Sequence, residues 1–172
     1  LFTSLTVLLL YRIGKYFTKD ERKRILVSLS YGLATTAFPF ATVFFSHTLS
    51  SFFLFASFFC ILKSKIERKD LLLLSGIFAG FAMMCDYYAA IALPFLFAYS
   101  LILFKKRGLK FLLSFIFVFS LLCLYHYSIF ENPFVFPAKY HGTFRERHSK
   151  GFYGISVPKA KAVYNLLLTP YR

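Results

Sequence analysis

Residues 71–104 read LLLLSGIFAGFAMMCDYYAAIALPFLFAYSLILF, between the charged segments KSKIERKD (63–70) and KKRGLK (105–110). A single helix over this stretch would be about 51 Å long at 1.5 Å per residue. The hydrocarbon core of a bilayer is only about 30 Å thick. The stretch therefore predicts a helical hairpin with its break at Asp86, the one acidic residue inside it. Pro94 falls within the second arm, where a kink is expected.

The same alternation of apolar runs and charged segments covers the rest of the chain up to residue 130. The runs predict a partial helix, two helical hairpins and a single span, at 1–14, 25–62, 71–104 and 111–130. The first hairpin is expected to break near Pro39, because proline interrupts a helix interior. The sequence thus indicates an all-α fold, a polytopic bundle of transmembrane helices. Since Leu1 lies inside an apolar run, we expect an internal fragment that begins within a helix.

Three basic segments, 15–24, 63–70 and 105–110, hold 13 of the 21 Lys and Arg residues. Short cytoplasmic loops of membrane proteins are rich in Lys and Arg, so all three segments are predicted to face the cytoplasm. Residues 131–172 then form an extracytoplasmic loop. We expect a multi-pass protein of a bacterial or archaeal cytoplasmic (inner) membrane, with the lipid bilayer as its partner. The net charge of +14 is thereby assigned to topology. Nucleic acid is not expected as a partner. Proteins that bind nucleic acid usually carry their Lys and Arg residues as a basic stripe on one soluble face, whereas here these residues flank apolar spans.

The predicted outer loop carries a group of cations at Arg145, Arg147 and Lys150, with a fourth at Arg172. Guanidinium groups match the oxygens of a phosphate group, and the aromatic residues at 152–153 suit a sugar ring or a lipid headgroup. These cations are candidates for binding a phosphorylated substrate. The competing interpretation is a solvated loop that contacts anionic lipid headgroups.

Two further candidates for substrate binding, His47 and Asp86, lie at the tips of the predicted hairpins. An ionisable residue within an apolar run is a candidate functional residue. Asp86 also suits a helix cap, and His47, at the start of a span, also fits a hydrogen-bonded structural role. Both interpretations stay open for each residue.

Other motifs have structural explanations. Gly76 and Gly80 form a GxxxG motif, which predicts close packing of two helices. The spacing of the His and Cys residues matches no metal site, and no phosphate-binding loop is present, so neither a metal nor a cofactor is expected. The three cysteines are predicted to be small buried apolar side chains; they are Cys60, Cys85 and Cys123.

Several short motifs follow one another in a particular order. They are Gly32–Thr35, Pro39–Thr42, Phe45–Leu49, Ala79–Ala82, Asp86–Ala90, Gly151–Gly154 with Pro158, and Leu166–Arg172. This ordered set resembles the membrane glycosyltransferases of the C-type (GT-C) fold that take a sugar from a polyprenyl-phosphate donor. The resemblance is to enzymes of the protein mannosyltransferase and aminoarabinose transferase kind (family 39-like). Each motif is a helix-end pattern and not a strict signature.

The resemblance implies a hexosyltransferase whose active site faces outside and whose acceptor is a lipid, a glycan or a protein. The catalytic acidic residue of that family usually lies in a loop after the first helix, which would precede Leu1, so no catalytic residue is assigned. The phosphate of the donor is predicted to be bound by Arg145, Arg147, Lys150 and Arg172, and Asp86 and His47 stay candidates for substrate binding. The alternative is a membrane transporter or lipid flippase without enzymatic activity, because broken helices also line transporter sites.

Overall fold

The computed structural model describes residues 1–43, 45–135, 137, 159, 161 and 164–165. Within these residues the secondary structure is helical and contains no strand, which confirms the predicted all-α class. The chain divides into two compact units, Leu1–Leu124 and Tyr125–Arg172. The α-helices are α1 (Phe2–Gly14), α2 (Glu21–Ala34), α3 (Ala37–Thr42), α4 (Ser46–Ile66), α5 (Leu72–Cys85), α6 (Leu93–Phe104) and α7 (Leu109–Phe130). Two 3₁₀ turns, Tyr87–Ile91 and Lys105–Gly108, flank α6.

The basic segments are shorter as loops than the sequence predicted. Asp20 caps α2 by accepting the backbone N–H of Arg22 at 3.0 Å, so the helix begins at Glu21 and the cations that follow lie in its first turn. In the same way, Lys63 and Lys65 belong to the last turn of α4. Cations at a helix C-terminus interact favourably with its dipole, which accounts for the extension of α4 into the charged segment.

Pro39 and Pro94 both lie within helices, and neither forms the predicted break or kink at its own position. Pro39 lies inside the short helix α3, and the chain is extended on either side of it, at Thr35 and Val43. The predicted break is therefore two breaks that flank Pro39. Pro94 lies in the first turn of α6, so the predicted kink is wrong. A proline is tolerated in a first turn, because its missing N–H would have no partner within the helix.

Helices α4 and α5 pack against each other in opposite directions. The hydroxyl of Ser57 lies 2.9 Å from that of Ser75. Nearer the start of α4, the Ser50 hydroxyl donates to the Ala82 carbonyl at 3.1 Å. These serines are buried and hydrogen-bonded, as small polar residues are at helix interfaces in membranes. The apolar core beside them contains Ile61, Leu72, Ala79, Leu93 and Phe111.

The GxxxG motif forms the contact between α5 and α7, which run in the same direction. A methyl group on Gly76 would overlap the carbonyl of Phe111 and the hydroxyl of Ser114. On Gly80 it would lie 2.6 Å from the Cβ of Val118. The prediction that these glycines permit close helix packing is confirmed.

The two ends of the first unit are consequently different in chemistry. The three basic segments meet at one end: Tyr16 donates to Glu67 at 2.7 Å, and Asp70 bonds Arg107 at 3.2 Å and Lys110 at 2.5 Å. We call this the basic end. Residues 35–43, 45–48 and 86–92 lie at the opposite end of the same helices, which we call the cleft end.

Two helical stretches are long and apolar enough to cross a membrane. Ser46–Ile66 has 21 residues and contains an 18-residue window with a mean hydropathy of 1.5, and Tyr87–Phe130 has 44 residues and contains such a window with a mean hydropathy of 2.1. The second stretch is divided at the 3₁₀ turn Lys105–Gly108, where Lys105 has a φ of 52° in the left-handed region. The stretch therefore comprises two helices, α6 and α7, which fold back on each other, with Phe97 stacked on Phe111.

In the described part of the second unit, α7 ends after Phe130, where Glu131 has a φ of 55°. The side chain of Asn132 then accepts the backbone N–H of Phe134 at 3.0 Å, which forms a tight turn. His126 is buried, and its ring lies 6.1 Å from that of Tyr125 and 6.0 Å from that of Phe130.

Candidate functional site

A cavity of about 520 Å³ opens at the cleft end of the first unit. We call it the cleft. Its polar lining comes from α2, the α2–α3 turn, α4 and the 3₁₀ turn after α5: Tyr31, Thr35, Thr36, His47, Thr48, Ser51, Asp86 and Tyr88. Ala37 and Phe40 complete the lining. The volume is in the range of about 300–1,000 Å³ that is typical of sites for small molecules.

His47 and Asp86 meet in this cleft, although they are 39 residues apart in the sequence. The Nδ1 atom of His47 lies 2.5 Å from Oδ2 of Asp86. The other carboxylate oxygen of Asp86 accepts the backbone N–H of Tyr88 at 3.0 Å. Asp86 therefore caps the 3₁₀ turn, as one of its two predicted roles requires, and it also binds the histidine. Its role in substrate binding stays a prediction. Its side chain is 14% exposed and that of His47 is 43% exposed, which leaves the imidazole open to the cleft.

Aromatic contacts fix the orientation of the His47 ring. The ring of Phe40 meets it edge-on with centroids 5.7 Å apart, and that of Phe45 lies at 5.0 Å. His47 is also the second residue of α4, so its backbone is held by the helix. The carboxylate on one edge and the two rings restrict the orientations open to the imidazole, as a binding or catalytic side chain requires.

Several cleft hydroxyls stabilise the helix ends that shape the site. Thr35 donates to the Tyr31 carbonyl at 2.6 Å and accepts the Ala37 N–H at 3.1 Å, which ends α2 and starts α3. Thr48 donates to the Phe45 carbonyl at 3.1 Å. Tyr31, Thr36 and Ser51 also line the cleft, although none of them is among the predicted site residues. The available signal was spacing, since Tyr31 and Thr35, and Thr48 and Ser51, each share a helix face.

The structure tests the grouping of only two of the predicted site residues. It brings His47 and Asp86 together, and it gives them a shared cleft. Arg145, Arg147, Lys150 and Arg172 lie outside the described residues.

The described part of the chain contains no group of three His, Cys, Asp or Glu residues that could hold a metal ion. Its three cysteines are free thiols, with Cys60 buried and both Cys85 and Cys123 partly buried. The lining of the cleft offers instead a histidine, a carboxylate and hydroxyl groups. These groups suit an uncharged or hydroxylated ligand better than a metal.

The basic end differs electrostatically from the cleft. The hydrogen bond from Tyr16 and the cations Lys63 and Lys69 lower the pKa of Glu67 below its ordinary value. The hydrogen bond from Lys110, followed by that from Arg107, lowers the pKa of Asp70.

Tyr16 itself responds in the opposite direction. Desolvation, together with its hydrogen bond to Glu67, raises the pKa of Tyr16 to about 12. Each of these shifts favours the bonded form that the structure shows, so the loops of the basic end are tied to one another by ordinary surface electrostatics.

Comparison of the chain with protein-family models, with curated proteins and with solved structures finds no match.

Proposed function

We propose that this chain is part of a multi-pass membrane glycosyltransferase. It would transfer a sugar from a polyprenyl-phosphate donor to a lipid, glycan or protein acceptor at the extracytoplasmic face of a bacterial or archaeal inner membrane. The observation that carries the proposal is the position of the hydroxyl-lined cleft at the end of the helices opposite to the three basic segments.

The helices support insertion into a bilayer. At 1.5 Å per residue, α4 and α7 are about 32 Å and 33 Å long, close to the roughly 30 Å of a hydrocarbon core. The apolar windows of the two long helical stretches are only 39% and 28% buried, whereas the core helix of a soluble protein is mostly buried. Large apolar side chains on their outer surfaces are accessible, including Phe95 at 73% and Ile102 at 77%. A bilayer is the solvent that such a surface requires.

The basic segments support the orientation. Cytoplasmic loops are the ones enriched in Lys and Arg, so the basic end is assigned to the cytoplasm. The cleft end then faces outside, where the sugar and phosphate of a lipid-linked donor would lie at the membrane surface. His47 and Asp86 would bind sugar hydroxyl groups there.

The phosphate of the donor is assigned to the cations of the predicted outer loop, Arg145, Arg147, Lys150 and Arg172. Negative charge develops on the leaving phosphate during sugar transfer, and positioned cations stabilise it. Charge-assisted hydrogen bonds to phosphate are about twice as strong as neutral ones.

The test uses the full-length protein in proteoliposomes with a radiolabelled polyprenyl-phosphate sugar. The double variant R145Q/R147Q should lower turnover by about 10²-fold, the usual effect of losing a preorganised donor at a developing charge. The matched control is K105Q/K106Q, which removes two cations from the basic end and should leave turnover unchanged.

Normal transfer by R145Q/R147Q, at normal protein levels, would remove these residues from the site. Movement of the labelled lipid across the bilayer without transfer of its sugar would overturn the enzyme assignment and favour the transporter or flippase alternative.

A further inference from the structure

We propose that His47 and Asp86 form a proton-accepting dyad, in which Nε2 of His47 takes the proton from the acceptor hydroxyl and Asp86 positions the His47 ring. The proposal rests on the proposed glycosyl transfer. It assigns a residue to the one step of that reaction for which the sequence provided none.

The contact between the two side chains determines which nitrogen of His47 is basic. An ionised carboxylate only accepts hydrogen bonds, so Nδ1 of a neutral His47 must carry the hydrogen that bonds Oδ2 of Asp86 at 2.5 Å. The lone pair of the ring is then on Nε2. The second oxygen of Asp86 is held by the Tyr88 N–H, so the carboxylate cannot rotate away without losing that bond.

The described contacts of His47 leave Nε2 available to bind a ligand. In the part of the chain that the structure describes, the hydrogen bonding of His47 involves Nδ1 alone. Phe40 and Phe45 contact the ring, and His47 is one of the residues that line the cleft. The described lining contains Asp86, Tyr31 and Tyr88 as further titratable groups, and no Lys, Arg or Glu. The described lining therefore places no second cation around the imidazolium that a proton transfer to Nε2 would form.

The chemical class of the ligand follows from the hydroxyl groups nearby. Thr36 and Ser51 line the same cavity as the dyad, and so does the phenol of Tyr31. Hydroxyl groups can both donate to and accept from the hydroxyls of a sugar or a polyol. The acceptor is thus inferred to be a compound with several hydroxyl groups, one of which reaches Nε2.

The step is balanced as follows. The O–H bond of the acceptor breaks and its proton moves to Nε2, while the oxygen forms a new bond to the anomeric carbon of the donor sugar. The bond from that carbon to the phosphate oxygen breaks, and the polyprenyl phosphate leaves with the electron pair. No oxidation or reduction occurs. The carboxylate of Asp86 stabilises the imidazolium that forms, which subsequently releases its proton to solvent.

The experiment measures sugar transfer by the full-length protein in proteoliposomes as a function of pH. His47→Ala should lower kcat by 10²- to 10⁴-fold, the usual contribution of a general base. Added imidazole should restore part of this loss, since it can occupy the space of the missing ring. His47→Gln, which keeps a polar side chain of similar length but cannot act as a base, should lose the same activity, and its remaining rate should not fall toward acid pH as we expect for the wild type.

Asp86→Asn tests the positioning role. Its amide can donate to Nδ1 and would then stabilise the tautomer that carries hydrogen on Nε2, so kcat should fall while KM changes little. The pH profile should shift as well. The matched control is Asp70→Asn at the basic end, which removes an acid of the same size and should leave kcat unchanged.

Three results would overturn the dyad. They are wild-type kcat in His47→Ala, a loss in folded His47→Ala that imidazole does not relieve, and an unchanged pH profile in Asp86→Asn. Failure of the proposed function is distinguishable, because the wild-type protein would then transfer no sugar, and the dyad would fall with it.

Discussion

The basic end and the cleft end of the first unit are built from the same helices, but their polar groups differ in charge and in exposure to solvent. At the basic end, cations outnumber the acids, and the described pairs are partly exposed, as at Asp70, whose side chain is 31% accessible. At the cleft end, a single acid is 14% accessible and meets a single histidine among neutral hydroxyls. A group of exposed cations suits a fixed orientation in a membrane, whereas a partly buried pair of an acid and a histidine suits ligand binding or proton transfer.

The difference in exposure determines what each interaction can contribute. Exposed ion pairs contribute about 0–1 kcal/mol, because water and salt screen them. A partly buried pair in a medium of lower dielectric constant interacts more strongly and is more sensitive to a missing partner. Substitutions at the basic end should therefore change stability slightly, whereas substitutions at the cleft end should change the chemistry of the site.

The largest expected effect is a labelling difference between the two ends. Cysteines placed at Lys19, Lys65 and Lys106 should resist a membrane-impermeant thiol reagent added to intact cells, whereas a cysteine at Lys150 should react. Val43, which is 51% exposed at the cleft end, should react as well. The background lacks the three native cysteines. Labelling at position 65 from outside would contradict the proposed orientation, because the basic end would then not be cytoplasmic.

The next effect concerns the close contact between α5 and α7 at Gly76. Gly76→Val should destabilise the folded protein by about 3 kcal/mol, because its Cβ would overlap backbone atoms of α7 that cannot move aside. Gly14→Ala is the matched control, since the added Cβ would meet only the flexible side chain of Arg24, at 3.1 Å. Thermal unfolding in detergent measures both. Equal melting temperatures for the two variants would contradict the close packing of α5 on α7.

Local sequence patterns predicted the helical class, the break at Asp86 and the glycine contact. Each of these depends on neighbouring residues: a long apolar run, an acid within it, and a four-residue glycine spacing. The prolines were placed less well, because the same residue ends a helix, kinks it or opens its first turn, and the sequence around Pro94 does not distinguish these outcomes.

The pairing of His47 with Asp86 had no local signal. It depends on the register of α4 against α5, which is set by buried contacts such as that between Ser57 and Ser75. A shift of that register by one turn, about 5.4 Å, would separate the two side chains. Both residues could be named as candidates from the sequence, but only the packing of the helices shows that they line the same cavity. The roles of the outer-loop cations stay predictions.

A smaller effect is expected for Asp70→Asn. The variant should lose about 1 kcal/mol of stability at neutral pH, the upper part of the range for partly exposed pairs. Because Lys110 and Arg107 lower the folded pKa of Asp70, its contribution is present above the ordinary aspartate pKa of about 3.9 and is lost as the pH falls through the folded value. The stability difference between wild type and variant should therefore disappear in strong acid.

Thermal unfolding in detergent at a series of pH values measures this difference. Lys106→Gln is the control, because this exposed cation forms no ion pair among the described contacts. A difference between wild type and Asp70→Asn that stays constant down to strong acid would show that the carboxylate acts through its size and not through its charge.

The smallest effect is expected for Tyr16→Phe, which removes the hydroxyl that donates to Glu67 at 2.7 Å. The ring contact with Phe59, at 6.3 Å, is kept, so the loss should be about 0.5 kcal/mol, the lower end for a single hydrogen bond. The folded pKa of Tyr16 is raised to about 12 by desolvation and by Glu67. Its proton is thus held more tightly in the folded state, and the stabilisation is present below the ordinary tyrosine pKa of about 10. It should be lost as the pH rises from there through 12.

The ultraviolet absorbance of phenolate provides the measurement, as a difference between wild type and Tyr16→Phe across alkaline pH. The missing tyrosine should appear in this difference as a transition near pH 12. If it appears near pH 10, the hydroxyl is hydrated and the link between the first and second basic segments does not form in solution. The ties between Asp70 and the third segment would still join two of the three, so the basic end would be looser while the cleft, held by the register of α4 and α5, would keep its geometry. That asymmetry is what separates an end built from exposed charges from an end built on helix packing.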